Sequence, residues 1–109
     1  LPVAKRTIDS AEAAIKNQYQ LDYGITWHSV AKLKNTEMID RVYSLLASGR
    51  FYILDTKNNQ VFVEQHRNYQ WDEKTLNTDN PRVLKVDDHT VDEMKYMVLD
   101  NARLIGLKI

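Results

Sequence analysis

Apolar and polar positions along this chain follow two periods, and the changes of period mark out its elements. Residues 1–8 carry Leu1, Val3, Ala4 and Ile8 and run into Asp9 and Ser10, which favour turns and caps, so a strand ending at Asp9 is expected. From Ser10 to about Gln20 the residues are good helix formers, with Ala11, Ala14, Ile15 and Tyr19 on one stripe and Glu12 in the first turn, where it suits the helix dipole. Gly24 stops that helix, and Ile25, Trp27 and Val30 predict a second strand. Asn35-Thr36 followed by Glu37 opens the clearest helix, with Met38, Ile39, Val42, Leu45 and Leu46 at helical spacing up to Gly49.

The second half is less regular. Residues 50–54 predict a third short strand by composition. Residues 58–70 mix strand formers (Val61, Phe62, Val63) with helix formers (Gln60, Glu64, Gln65, Arg67), and the balance favours a helix. Asp72, Asn77, Asp79, Asn80 and Pro81 make residues 71–86 an exposed loop. A last helix starts at a cap from Asp87 or Asp88 and runs through Val91, Met94, Tyr96, Val98 and Leu99 to about Ala102. The order strand, helix, strand, helix, strand, helix, loop, helix predicts one α/β domain over residues 1–109, with a small, mostly parallel sheet flanked by helices. Three short strands look incomplete for such a sheet, which ordinarily has neighbours on both sides and cover on both faces.

Composition narrows the function classes. At 109 residues and 43% hydrophobic, the chain can bury a core, and 15 basic against 15 acidic side chains leave no net field to announce a nucleic-acid binder. Any binding site must therefore be local. The absence of cysteine excludes disulfides, thiolate metal sites and a cysteine nucleophile, and it fits an intracellular setting. Apolar runs are too short for a membrane span, and Lys5 and Arg6 break any signal-peptide pattern. Leu1 is not an initiating residue, so a fragment of a longer protein is expected.

Chemistry concentrates at two places. Asp9 falls beyond the carboxyl end of the first strand, where parallel α/β sheets place functional groups. Asp87, Asp88, His89 and Asp92 crowd the start of the last helix, and His89 and Asp92, three apart, share a face. Singly, these residues serve as caps, dipole partners or solvated carboxylates. Should the last helix bring its first turn to the end of the first strand, Asp9, His89 and Asp92 would converge, and an oxygen-rich set with one imidazole suits Mg²⁺ or Mn²⁺ better than structural zinc. His28 and His66 have no acidic cluster in nearby sequence and are not expected to be ligands. Lys32 and Lys34 are candidates for holding phosphates, or an ordinary solvated pair. Tyr19, Tyr23, Trp27, Tyr69 and Trp71 read as packing residues, not a base-stacking platform.

At these residues a family resemblance becomes visible. TIDSAEAAI (residues 7–15) resembles the strand-to-helix turn in the nuclease domain of large terminase subunits from tailed phages and prophages, and DDHTVDEMKY (87–96) resembles that family's closing motif. AKLKNTEMIDRVYSLL (31–46) and NNQVFVEQHRNYQWDEK (58–74) resemble the lysine-containing segment with its helix and the aromatic-rich element between them. The resemblance implies a partial ribonuclease H-like fold and a metal-dependent endonuclease that cuts concatemeric double-stranded phage DNA during packaging. It implies Asp9 and Asp92 as carboxylate ligands of Mg²⁺ or Mn²⁺, His89 as a ligand or proton-handling group, Asp88 as a more remote supporting residue, and Lys32 or Lys34 beside a DNA phosphate. It also implies double-stranded DNA, the small terminase subunit and the portal as partners, in the bacterial host cytoplasm. It supports a helix around Val61.

The departures matter as well. Lys95 replaces the usual Arg before Tyr96, and Glu93 stands where Ala is common. The family's first catalytic Asp belongs to an earlier strand not found here, and no Gly-rich phosphate loop of an ATPase motor is present. The expectation is thus the C-terminal part of a terminase nuclease domain, weak or inactive by itself, with an exposed sheet edge that could drive self-association. The alternative from another class is a noncatalytic DNA-binding or assembly domain that docks the packaging machinery.

Overall fold

A computed structural model describes residues 3–84 and 86–107. The ends of the expected first strand (Leu1 and Pro2) and Lys85 of the loop lie outside the described residues. Strand β1 (Thr7–Ile8) and strand β2 (His28–Ser29) pair in parallel, Thr7 opposite His28 and Ile8 opposite Ser29. Helix α1 (Ala13–Tyr23) makes the crossover between them, as parallel pairing requires. Helices α2 (Asn35–Ala47), α3 (Gln60–Asn68) and α4 (His89–Asp100) follow.

The core lies between α2 and α4. On α2, Met38, Val42 and Leu45 fall on one face and are buried. On α4, Val91, Met94 and Val98 form the facing stripe, continued by Ala102 beyond the helix. Val42, Leu45, Met94 and Val98 meet in one cluster, against which Phe51, Phe62, Ile105 and Leu107 pack. The Phe51 and Phe62 rings stack at 5.9 Å. Val30, just past β2, is 1% exposed.

Two glycines end helices as expected. Gly24 takes φ +64° and its N–H bonds back to the Gln20 carbonyl, the left-handed stop of α1, and Gly49 takes φ +69° just beyond α2. The helical choice for residues 58–70 holds as well: a single 3-10 turn (Lys57–Asn59) leads into α3.

Other expectations are corrected. Residues 50–54 form no strand. Tyr52 is 87% exposed, and strand propensity is realised only where a paired neighbour and a packed face exist. The sheet therefore has two strands, not three. Helix α1 begins at Ala13, not Ser10, because the chain first turns at Asp9, whose carbonyl accepts the Glu12 N–H at 2.9 Å. Its expected stripe is not buried: Ile15 and Tyr19 remain exposed, and α1 is tied to β2 by Lys16 donating to the Ser29 hydroxyl and by the edge contact of Tyr19 with Trp27. Asn35 is the first residue of α2, whose N-cap position falls to Lys34, and the cap expected from Asp87 or Asp88 is positional only, since the Asp88 side chain makes no capping hydrogen bond to α4. The loop at 71–86 is stapled by an antiparallel bridge between Trp71 and Val83, and the Asp72 carboxylate accepts the Lys74 N–H of a 3-10 turn (Glu73–Thr75).

Candidate functional site

Helix α4 crosses the end of the sheet because Asp100 anchors it there. The Asp100 side chain, 5% exposed, accepts from the Thr7 hydroxyl at 2.7 Å and sits 3.2 Å from Lys5 Nζ and 2.7 Å from His28 Nδ1. Burial works against its charge, but these donors outweigh it and hold the carboxyl below its ordinary range. One acid from α4 thus joins both strands. His28 has a carboxylate partner after all, supplied by a residue 72 positions away that sequence proximity could not reveal.

With the C-terminal end of α4 held at β1, its first turn borders a cavity of about 760 Å³ beyond Ile8. Asp9, His89 and Asp92 all line this cavity, together with Glu12, Glu93 and Tyr96. Lys5 and Arg6 form part of the same wall. Neither Glu12 nor Glu93 is read as a site residue from sequence, where Glu12 suits the helix dipole and Glu93 is a departure from the family pattern. The turn at Asp9 brings Glu12 round to the cavity, and Glu93 follows Asp92 on the same helical turn. Asp88 occupies the N-cap position of α4 and does not line the cavity, and Asp87 lines a separate polar cleft with Glu64 and Arg67.

Lysines neutralise the two key carboxylates. Asp9 Oδ1 lies 2.6 Å from Lys32 Nζ and also accepts the Ala11 N–H at 3.0 Å. The hydrogen bond from Lys32, with the Ala11 amide, holds the Asp9 carboxyl below its usual range. Lys32 in turn is raised by its bond to Asp9, and it lies 5.3 Å from the centre of the Tyr96 ring. Lys34, by contrast, is exposed at the start of α2.

Asp92 Oδ1 is 2.9 Å from Lys95 Nζ. Lys95 is a buried charged residue, 4% exposed. Its ammonium also donates to Asn35 Oδ1 at 2.6 Å and to the Tyr69 hydroxyl at 3.3 Å, so three N–H groups meet three acceptors. Burial disfavours the charge, yet the Asp92 bond and Tyr69 prevail and raise the ammonium above its ordinary value. Asn35, expected at the opening of a helix, does open α2 and also accepts from Lys95 through its side chain. Nothing in the spacing of Asn35, Tyr69 and Lys95 signals this junction.

A divalent ion does not fit this arrangement as it stands. No group of three ligating side chains comes together among the described residues, and an ammonium already sits on each of Asp9 and Asp92. The cavity does gather carboxylates, an imidazole and cations from elements far apart in sequence at the end of a parallel strand pair, the place where α/β folds put their chemistry.

Comparison with known families gives this architecture its class. The terminase RNase H-like domain family matches residues 3–100, nearly the whole chain. The chain belongs to that family, and its two parallel strands flanked by helices are part of a ribonuclease H-like α/β fold. No curated protein and no solved structure matches it significantly. Domains of this class generally work with divalent metal ions. No helix among the described residues is long and apolar enough to cross a membrane.

Proposed function

We propose that this chain is a segment of the endonuclease that cuts concatemeric double-stranded DNA during phage genome packaging, in the host cytoplasm, as part of a terminase large subunit. One observation carries the reading: in a member of the terminase RNase H-like family, Asp9, His89 and Asp92 line a single cavity although 80 or more positions separate Asp9 from the other two. The reaction is hydrolysis of a phosphodiester bond, with Mg²⁺ or Mn²⁺ as the implied cofactor. Asp9 and Asp92 are the carboxylates assigned to it. His89, exposed at the first residue of α4, is the group we assign to taking a proton from water or giving one to a departing oxygen. Lys34 is an exposed cation available to a DNA phosphate, whereas Lys32 is engaged by Asp9. The small terminase subunit and the portal are the proposed protein partners.

The test is plasmid cleavage in Mn²⁺ by the terminase large subunit that carries this segment. Asp9→Ala and Asp92→Ala are expected to abolish cleavage while leaving DNA capture intact. Cleavage that survives Asp9→Ala would show that the role assigned to Asp9 is wrong.

A second reading, a noncatalytic DNA-binding or assembly domain, is favoured by the lysines seated on both carboxylates. It predicts that partner binding ignores Asp9→Ala and Asp92→Ala but weakens on reversal of surface charge at Lys34 or Arg67.

A further inference from the structure

Between α2 and the 3-10 turn that precedes α3, residues 50–56 run without helix, turn or bend, and Thr56 at their end is extended at φ −117° and ψ 158°. Phe51, Tyr52, Ile53 and Leu54 within this stretch are strand formers. Their burial alternates with the two-residue period of a strand: Phe51 packs against the core and stacks on Phe62, Tyr52 stands out, Ile53 is less exposed, and Leu54 is 76% exposed. What the segment lacks is a neighbour. Among the described residues Phe51, Tyr52 and Ile53 make no backbone hydrogen bond, whereas the Leu54 carbonyl accepts from the Thr56 N–H at 2.9 Å and from the Asn59 side chain at 3.0 Å, which closes the open run.

A row of unpaired amides and carbonyls with apolar side chains standing beside it is a template for another strand. The ends of the segment select which strand. Arg50 donates to the Ser48 hydroxyl and the Ile105 carbonyl, and the Asp55 carboxylate accepts from the Gln60 amide, so neutral groups hold the charge at each end. A complementary strand is apolar in the middle, acidic near Arg50 and basic near Asp55. The same segment run antiparallel has that character, because it brings the Arg50 end of one copy beside the Asp55 end of the other, while a parallel pair would set like charges together. With 15 basic and 15 acidic side chains in each chain, two copies also meet without net repulsion.

We propose that residues 50–55 are a pairing strand for a second copy of this chain, joined antiparallel about a twofold axis, with Tyr52 and Leu54 of each copy packing against the other. This surface is separate from the β1 and β2 pair and from the cavity that Asp9 lines, and the proposal stands independently of the nuclease reading. A ladder of this length buries less than the roughly 1,200 Å² of a stable complex, so the dimer is weak, with a Kd on the order of 100 μM.

The experiment is sedimentation equilibrium of the 109-residue chain with amide NMR spectra over the same dilution series. It compares the parent with Tyr52→Lys, Leu54→Lys and, as a control, Leu21→Lys, which puts the same charge on a similarly exposed leucine of α1. Spectra of dilute samples establish that each variant keeps the fold. The parent is expected to dimerise, with the amide signals of residues 51–54 moving together as concentration rises. Tyr52→Lys and Leu54→Lys should each weaken the dimer about tenfold or more, since the twofold axis sets the new charges of the two copies near each other. Leu21→Lys should stay within about twofold of the parent, as an ordinary surface change does. A parent that is monomeric up to about 1 mM would overturn the proposal. So would concentration-dependent shifts centred on β1, β2 or α1, a dimer that survives Tyr52→Lys and Leu54→Lys, or an equal loss in Leu21→Lys.

Discussion

Replacing Lys95 with Met removes the ammonium at the junction of α2, α4 and Tyr69 while nearly preserving side-chain volume, so the change isolates polar bonding from packing. Removing one partner of a fully buried ion pair costs about 3–5 kcal/mol, because the other charge is left desolvated. The Asp92 side chain is 28% exposed and can recover water on its cavity side, whereas Asn35 and Tyr69 are half-buried and recover it in part. We therefore expect Lys95→Met to destabilise the fold by about 2 kcal/mol, below the fully buried figure. For a domain of this length that is a fall in Tm of roughly 8 °C.

Urea and thermal melts followed by far-UV circular dichroism measure the effect. A double-mutant cycle with Asp92→Asn should return a coupling of about 1 kcal/mol or more, since the residues touch. The pH dependence has a definite sign. Lys95 is raised in the folded state, so its contribution is fully present below the ordinary lysine value of 10.5 and is lost as pH climbs through the higher folded value. The stability gap between parent and Lys95→Met should hold across neutral pH and close only in strong alkali. A Lys95→Met chain within about 0.5 kcal/mol of the parent, the range of an ordinary surface change, would refute this account of the junction.

Met94, 2% exposed between α4 and α2, should lose about 2–5 kcal/mol on Met94→Ala, read from the shift of the urea midpoint at unchanged slope. The Asp100 carboxyl is lowered on folding, so its bonds to Thr7, Lys5 and His28 stabilise above the ordinary aspartate value of 3.8 and fade as pH falls through the folded value. Accordingly, Asp100→Asn should be less stable than the parent at neutral pH, and the two acid-unfolding curves should converge below about pH 4, the range in which an aspartate paired in the native state titrates. By itself the 109-residue chain should nick plasmid DNA in Mn²⁺ weakly or not at all; robust nicking that disappears in Asp92→Ala would show the site to be sufficient as it stands.

Local signals in the sequence foretold local structure. The spacing of Met38, Val42 and Leu45 gave α2, Gly24 and Gly49 marked helix ends, and the alternation of elements gave a parallel pair joined through a helix. The sequence named Asp9, His89 and Asp92 but left their convergence conditional on how the last helix packs; the packing of α4 puts all three on the lining of one cavity. Residues 50–54 misled because their strand propensity has no partner to act on, and propensity cannot report a missing neighbour. Nor could spacing reveal what long-range pairing decides. The Lys95 junction joins positions up to 60 apart, Asp100 reaches back to Thr7 and Lys5, and Lys32 closes on Asp9 across a whole crossover. The result is a pair of carboxylates, Asp9 and Asp92, each compensated by a lysine, where the positions of the acids along the chain had suggested a cluster in want of a metal.

The central claim is that Asp9, His89 and Asp92 act as one site. Its most direct test is Mn²⁺ paramagnetic broadening of the amide NMR spectrum, in the parent chain and in Asp92→Ala. The account predicts that signals of Asp9, His89 and Asp92 broaden together at the lowest Mn²⁺ concentrations and that the effect is lost in Asp92→Ala. Broadening that begins elsewhere, or that touches Asp9 without His89 and Asp92 and persists in the variant, would contradict it.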